Sequence, residues 1–194
     1  MPGYVISNFF IYAIINAITP GPGNILALNT VSNYGWKKGK PLFFGIFVGY
    51  FVVQILCAVF VFGVSAFLPN VLGVMKYIGA TYILWLAIHI VFSKPAIDSS
   101  EKSASFLKGF LLQFVNVKIY LFGITALTGY ITDYSTSLMT LLFFELIIAT
   151  IGTIATLTWI GLGVLLRKAY QKYYRPINIV LALTLLKCVY SMLK

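Results

Sequence analysis

The feature that most restricts this chain is a series of apolar runs of eighteen or more residues with few or no charges. As an α-helix, a run of that length crosses about 30 Å of hydrocarbon. Inside a bilayer no water is at hand to satisfy the backbone, whereas a helix satisfies its own N–H and C=O groups, so such runs read as membrane spans. Charge, proline or glycine cluster at 34–40, 68–70, 94–105, 132–137 and 167–176. These breaks leave six predicted spans, near 4–33, 41–67, 71–93, 106–131, 138–166 and 176–193. The connections have no room for a soluble domain, so 1–194 reads as one all-α polytopic domain. No basic stretch precedes the first run and no small-residue cleavage pattern follows it, which predicts a retained helix.

Only 9% of the residues are charged, yet fourteen Lys and Arg stand against four Asp and Glu, a formal net charge of +10. Placement decides what that excess means. Ten of the fourteen lie in or beside the first, third and fifth connections: Lys37, Lys38, Lys40, Lys94, Lys102, Lys108, Arg167, Lys168, Lys172 and Arg175. Cytoplasmic loops carry the Lys/Arg excess, so these connections are expected inside the cell and both termini outside. Lys76, Lys187 and Lys194 fall toward the other side, where the first two can snorkel from within their helices. Lys118, twelve residues into the fourth span, has no such explanation. A nucleic-acid partner is not expected, because the chain has no helix-turn-helix, zinc pattern or wettable basic face. Cys57 and Cys188 lie in apolar runs without metal or redox spacing, as packed hydrophobes do.

Polar groups and helix breakers are costly in hydrocarbon, so they pair or line cavities. Thr19-Pro20-Gly21-Pro22-Gly23-Asn24 removes two backbone donors and interrupts the first span, as a kink or as an unwound segment. An unwound segment presents freed carbonyls and a new helix N-terminus suited to a carboxylate. Asn8, Tyr12, Asn16 and Thr19 share one helix face leading to it. In the fourth span, Lys118 would point about 160° from Asn116 and about 140° from Gln113 on a continuous helix. Either Lys118 faces a different neighbour or the helix loosens there. Glu145 shares a face with Ala149, Gly152, Thr156, Trp159 and Gly163. It reads as a counter-ion for Lys118, a proton carrier, or a carboxylate hydrated near the outer interface. Gly45 and Gly49 permit close helix approach, within one chain or in a homodimer. His89, the single histidine, reads as an interface residue.

No Gly-rich phosphate loop, HExxH pair, paired intramembrane aspartates or Ser-His-acid set is present, so neither an enzyme nor a metal or cofactor site is expected. A carbonyl-rich channel filter is also absent. Three spans followed by three more place the halves, 1–93 and 106–194, in opposite orientation. Each half opens on a span with a polar interruption near its middle, the pattern of transporters with inverted repeats and a midplane site.

The stretch ITPGPGNILALNTVSNYGWKKGKPLFFGIFVG resembles the N-terminal signature of the LysE/RhtB family of bacterial amino-acid exporters. In the second half that family usually carries Asn-Pro-Lys. Here Asn116-Val117-Lys118 stands within GFLLQFVNVKIYLFGITAL, which is similar to the branch exporting cysteine and O-acetylserine. The resemblance implies efflux of small amino acids and their derivatives across the bacterial inner membrane, driven by the proton gradient or the membrane potential. It implies site residues at Thr19, Pro20, Gly21, Pro22, Asn116 and Lys118, to which the helix face leading to the break adds Asn16 and the new helix N-terminus adds Asn24. In this reading Lys118 and the backbone of 21–24 receive the substrate carboxylate, Asn16 and Asn116 add neutral hydrogen bonds, and Glu145 binds the α-ammonium or couples a proton. A non-transporting membrane protein, acting on lipids or assisting assembly, and a passive amino-acid channel are the competing readings.

Overall fold

The computed structural model describes residues 1–63, 68–92 and 104–193, and the side chains of all of these except 68–76, 78–79 and 191–193. Lys94, Lys102 and Lys194 lie outside the described residues, and Lys76 is described in its backbone only. Among the described residues seven helices follow one another: α1 (Gly3–Ile18), α2 (Pro22–Gly63), α3 (Leu68–Val91), α4 (Phe106–Val115), α5 (Val117–Tyr130), α6 (Leu138–Leu165) and α7 (Arg167–Leu193). There is no strand among the described residues. α2 and α6 are each long enough to span a membrane, with mean hydropathies of 2.4 and 2.1 in their apolar windows. α4 and α5 together form a third candidate span, bent by 55°.

The break at 19–21 starts α2, which runs on through the first predicted connection. Within α2 only Gly35 departs from helical dihedrals, at φ 76°, ψ 172°. That positive φ is open to glycine and strained for other residues. Gly23 and Asn24 ahead of Gly35, and Tyr50 beyond it, line the same cavity. On a straight helix Asn24 and Tyr50 would be about 39 Å apart at 1.5 Å per residue, so the chain doubles back at Gly35. The connection expected at 34–40 thus shrinks to one residue. Similarly, the stretch 167–176 is helical apart from a non-helical Tyr173. Lys, Arg and Tyr are adequate helix formers, and water at a membrane face solvates their heads without unwinding the backbone.

Packing is set by glycines on facing helices. A Cβ on Gly45 would strike the Phe106 carbonyl oxygen, and one on Gly109 would strike that of Leu42, so α4 lies directly on the second arm of α2. Gly49 faces the Phe110 carbonyl and Gln113. Gly45 and Gly49 are therefore spent on packing within one chain. α6 approaches α2 in the same way, Gly152 against the Tyr50 ring and Gly163 against Val31. α1 buries a stripe at every fourth residue, Val5, Phe9, Ala13 and Ala17. Its outward residues Tyr4, Ile11 and Ile15 are left exposed, as are Phe143 on α6 and Leu183 on α7. Such apolar outer faces suit a lipid surrounding. Residues 22–33, by contrast, are all buried.

Described basic residues of the connections, Lys38, Lys40, Lys108 and Arg167 among them, gather at one end of the bundle, whereas Lys118 and Lys187 lie elsewhere. The Arg167 guanidinium stands 3.1 Å from where a Gly35 Cβ would be, and the Ala104 N–H donates to the Lys38 carbonyl at 3.3 Å. Lys40 lies over Trp36 and Lys108 over Trp85. Below this layer, the buried Tyr170 hydroxyl accepts from the amides of Asn29 and Asn33 and donates to Asn178 at 2.8 Å, fastening the first arm of α2 to α7.

Candidate functional site

An α-helix ends with its last four carbonyls unpartnered inside the helix, and in hydrocarbon each needs a donor from elsewhere. At the end of α1 every one of them finds a side chain. Thr19 donates through its hydroxyl to the Ile15 carbonyl at 2.6 Å. The Asn24 amide reaches back to the Ala17 carbonyl at 3.0 Å, and the Trp159 indole donates to that of Ile18 at 3.0 Å. Lys118 supplies the remainder, with Nζ 3.1 Å from the Asn16 oxygen and 2.7 Å from that of Thr19. Its ammonium thus sits at the negative end of the α1 dipole, where a cation is favoured by up to ~2 kcal/mol.

Lys118 can reach α1 because the fourth span is broken. Asn116, at φ −85° and ψ 83°, separates α4 from α5, and α5 begins at Val117. The break exists without the family's usual proline. Gly21 leaves the space for the lysine, since a Cβ there would lie 3.0 Å from its Cδ.

The two breaks meet in one place. Asn16, Gly21, Asn24, Asn116 and Lys118 line a cavity of about 30 Å³, with Gln113, Tyr50 and Thr156. That is room for about one water, not for an amino acid. An adjoining cleft of about 400 Å³ is lined by Tyr12, Asn16, Thr19, Pro20, Pro22 and Lys118, with Thr125, Thr184, Lys187 and Cys188 opposite. Small-molecule pockets run to about 300–1,000 Å³, so the cleft has the right size. Asn16 and Lys118 border both spaces. All eight sequence candidates therefore converge. Asn8, on the same α1 face, borders neither space.

Two asparagines at the inner cavity stand out. Asn24 is fully engaged, accepting from the Thr156 hydroxyl at 2.8 Å while its amide caps α1. The Asn116 oxygen has no partner among the described residues, although the residue is buried.

Glu145 is elsewhere. It is fully buried, lines neither space, and neither of its oxygens has a hydrogen-bond partner among the described residues. It is thus not hydrated at an interface, and Lys118 is bonded to carbonyls instead. Its stripe neighbours Ala149, Gly152, Thr156 and Gly163 are buried as the helical spacing implied. His89 is exposed and stacked on Trp85, and no cluster of metal-ligating side chains occurs among the described residues. Sequence reasoning passed over Tyr50, Gln54 and Thr125, single polar residues that no periodicity singles out, and read Lys187 only as a snorkelling lysine, whereas it borders the cleft. Thr156 was legible as part of the Glu145 stripe.

A family model described as LysE type translocator matches residues 14–189. The chain belongs to this family. It is a family of transporters, not enzymes, and the chain is a multi-pass membrane protein. The cysteine/O-acetylserine efflux protein of Salmonella choleraesuis (strain SC-B67) is 38% identical over 189 residues, 97% of each chain. That of Escherichia coli O139:H28 is 37% identical over 185 residues, 95% of each. No solved structure matches the chain.

Proposed function

We propose that this LysE-family protein exports small amino acids or their derivatives, cysteine, O-acetylserine or related neutral ones, across the bacterial inner membrane. Two full-length relatives named for cysteine/O-acetylserine efflux support the substrate class. The observation that carries the site is Lys118, an ammonium held by two backbone carbonyls where both broken helices meet. A substrate carboxylate entering the large cleft competes for that ammonium with the carbonyls of Asn16 and Thr19. It is the stronger partner, because it meets the ammonium with a full negative charge where each carbonyl offers only a dipole, and attraction between full charges is strong in a weakly polar interior. The unpartnered Asn116 oxygen suits the α-ammonium. Thr19, Pro20, Gly21, Pro22 and Asn24 shape the seat, and Asn16 adds a hydrogen bond. Drawing Lys118 away uncovers two α1 carbonyls, which ties binding to a rearrangement at the break.

The same reading takes 1–93 and 106–194 as inverted three-helix repeats crossing the membrane six times, with both termini outside. It is supported by each half beginning with a peripheral piece (α1, α4) followed by a buried piece (22–33, α5), and by basic residues of the connections gathered at one end. Transport draws on the proton gradient or the membrane potential.

The test is uptake of radiolabelled cysteine or O-acetylserine into inverted vesicles. Lys118→Met is expected to lower uptake about 10- to 100-fold, the loss of a charge-assisted hydrogen bond, with normal membrane insertion. Lys168→Met, on the exposed face at the basic end, is expected to transport as wild type. Wild-type uptake by Lys118→Met would remove the carboxylate role.

A further inference from the structure

A second polar site lies on the far side of α5 from the cleft. At Gly123 the side chains of Gln54 and Glu145 converge: a Cβ there would strike the Gln54 oxygen and would lie 2.8 and 3.0 Å from the two Glu145 oxygens. Gln54 and Glu145 are each fully buried. The Gln54 amide donates to the Ile119 carbonyl at 3.5 Å, so its oxygen is the end turned toward the carboxyl. Three acceptors, Gln54 Oε1 and both Glu145 oxygens, then face one another, none with a hydrogen-bond partner among the described residues.

Such an arrangement does not stand as drawn. A carboxylate without a partner in a dry interior costs several kcal/mol, and an acceptor facing it adds repulsion. A bound calcium ion would use six to eight oxygens, and this pocket offers three. One proton suffices. On Glu145 it turns the carboxylate into a neutral acid whose O–H donates to Gln54 Oε1, and both the charge and the repulsion vanish. Other groups facing the carboxyl do not supply a cation: α2 brings Tyr50 and Cys57, α5 brings Gly123, and α1 faces this part of α6 with Phe9 and Ala13. Lys118 is five residues before Gly123 on α5, about 7.5 Å along the axis, and its ammonium is bonded to α1.

We infer that Glu145 and Gln54 form a binding site for one exchangeable proton, shared between the carboxyl and the amide oxygen and separate from the Lys118 site. Gly123 is the opening in α5 that admits it. This rests on the exporter reading only for its role, which is to make transport respond to the proton gradient. Protonated, the pair lets α2, α5 and α6 close on one another; release of the proton leaves a carboxylate that must be hydrated, which requires those helices to part.

The test has two arms on the full-length protein. Infrared spectroscopy in sodium-free detergent solution reads the C=O stretch of a neutral carboxylic acid at neutral pH. Wild type is expected to show the band, Glu145→Gln to lack it, and Gln54→Leu to shift it to the position of an acid without a hydrogen bond. Glu145→Gln preserves shape and supplies a permanent N–H donor, so it should fold. In proteoliposomes, Glu145→Gln is expected to keep exchange of amino acid between the two sides and to lose accumulation driven by an imposed pH gradient. Absence of the band from wild type, its persistence in Glu145→Gln, its removal by added sodium, or full gradient-driven accumulation by Glu145→Gln would each overturn the proposal. If the band behaves as expected while the wild-type protein moves no amino acid, the proton site stands and the exporter reading falls.

Discussion

The two breaks differ in how they are encoded. Between α1 and α2 the chain reads Pro20-Gly21-Pro22, two residues without a donor flanking one without a side chain, and a continuous helix is ruled out locally. Between α4 and α5 it reads Val115-Asn116-Val117, which contains no breaker. Yet the second bend is 55°, and both breaks are followed by a buried helical piece. One break is therefore written in the covalent chain, and the other is enforced by what surrounds it. α4 is pinned to α2 by Gly45 and Gly109, while Lys118 at the start of α5 is drawn to the carbonyls of α1. Asn116 is where these two demands are reconciled.

If the second break depends on that pinning, the largest effect should come from Gly109→Val. Its side chain would be driven into the backbone of α2 at Leu42, where nothing flexible can yield. A loss of about 3 kcal/mol or more is expected, read as a collapse in the yield of monodisperse protein and in its thermal midpoint. Gly3→Val, whose Cβ would meet nothing within 4 Å, should leave both unchanged. Equal behaviour of the two variants would break the comparison.

Asn24→Ala probes the first break, where proline opens the helix and side chains must then repair it. It strands the Ala17 carbonyl and takes the acceptor from the Thr156 hydroxyl. The expected cost is about 1–3 kcal/mol, measured by thermal unfolding in detergent, with a smaller loss in Thr156→Val. A neutral Asn24→Ala would mean that the prolines alone hold the break.

The smallest effect should be that of Val117→Pro. Val117 is the first residue of α5, a position where proline's fixed φ is tolerated and its missing N–H is not needed. The variant is expected within about 1 kcal/mol of wild type, on the stabilising side, with transport retained. A strongly destabilised Val117→Pro would show that the second break differs in kind from the proline-coded one.

Much of the site was legible because its residues violate the hydrocarbon rule. Asn16, Thr19, Asn24, Asn116 and Lys118 are polar in apolar runs, and Pro20 and Pro22 break a helix, so each announces itself without a structure. Gln54 and Tyr50 are single polar residues in a span read for its glycines, and their significance comes from Gly123 and Gly152 on other helices. Likewise, the positive φ of Gly35 turns an expected connection of several residues into a reversal at one. Nothing in the sequence distinguishes that glycine from its neighbour Gly39.

By itself the sequence determined that the chain spans a membrane, that the first helix must break, and that Lys118 sits where a charge is expensive. These follow from hydropathy, from proline's missing N–H and from the cost of an unpaired ion, all local properties. Only the tertiary structure decided the partners. It sent Lys118 to the carbonyls of α1 rather than to Glu145, and left Glu145 facing Gln54 across a glycine. Partner choice depends on which helix faces lie together, and that is fixed by glycine contacts between residues far apart in the chain.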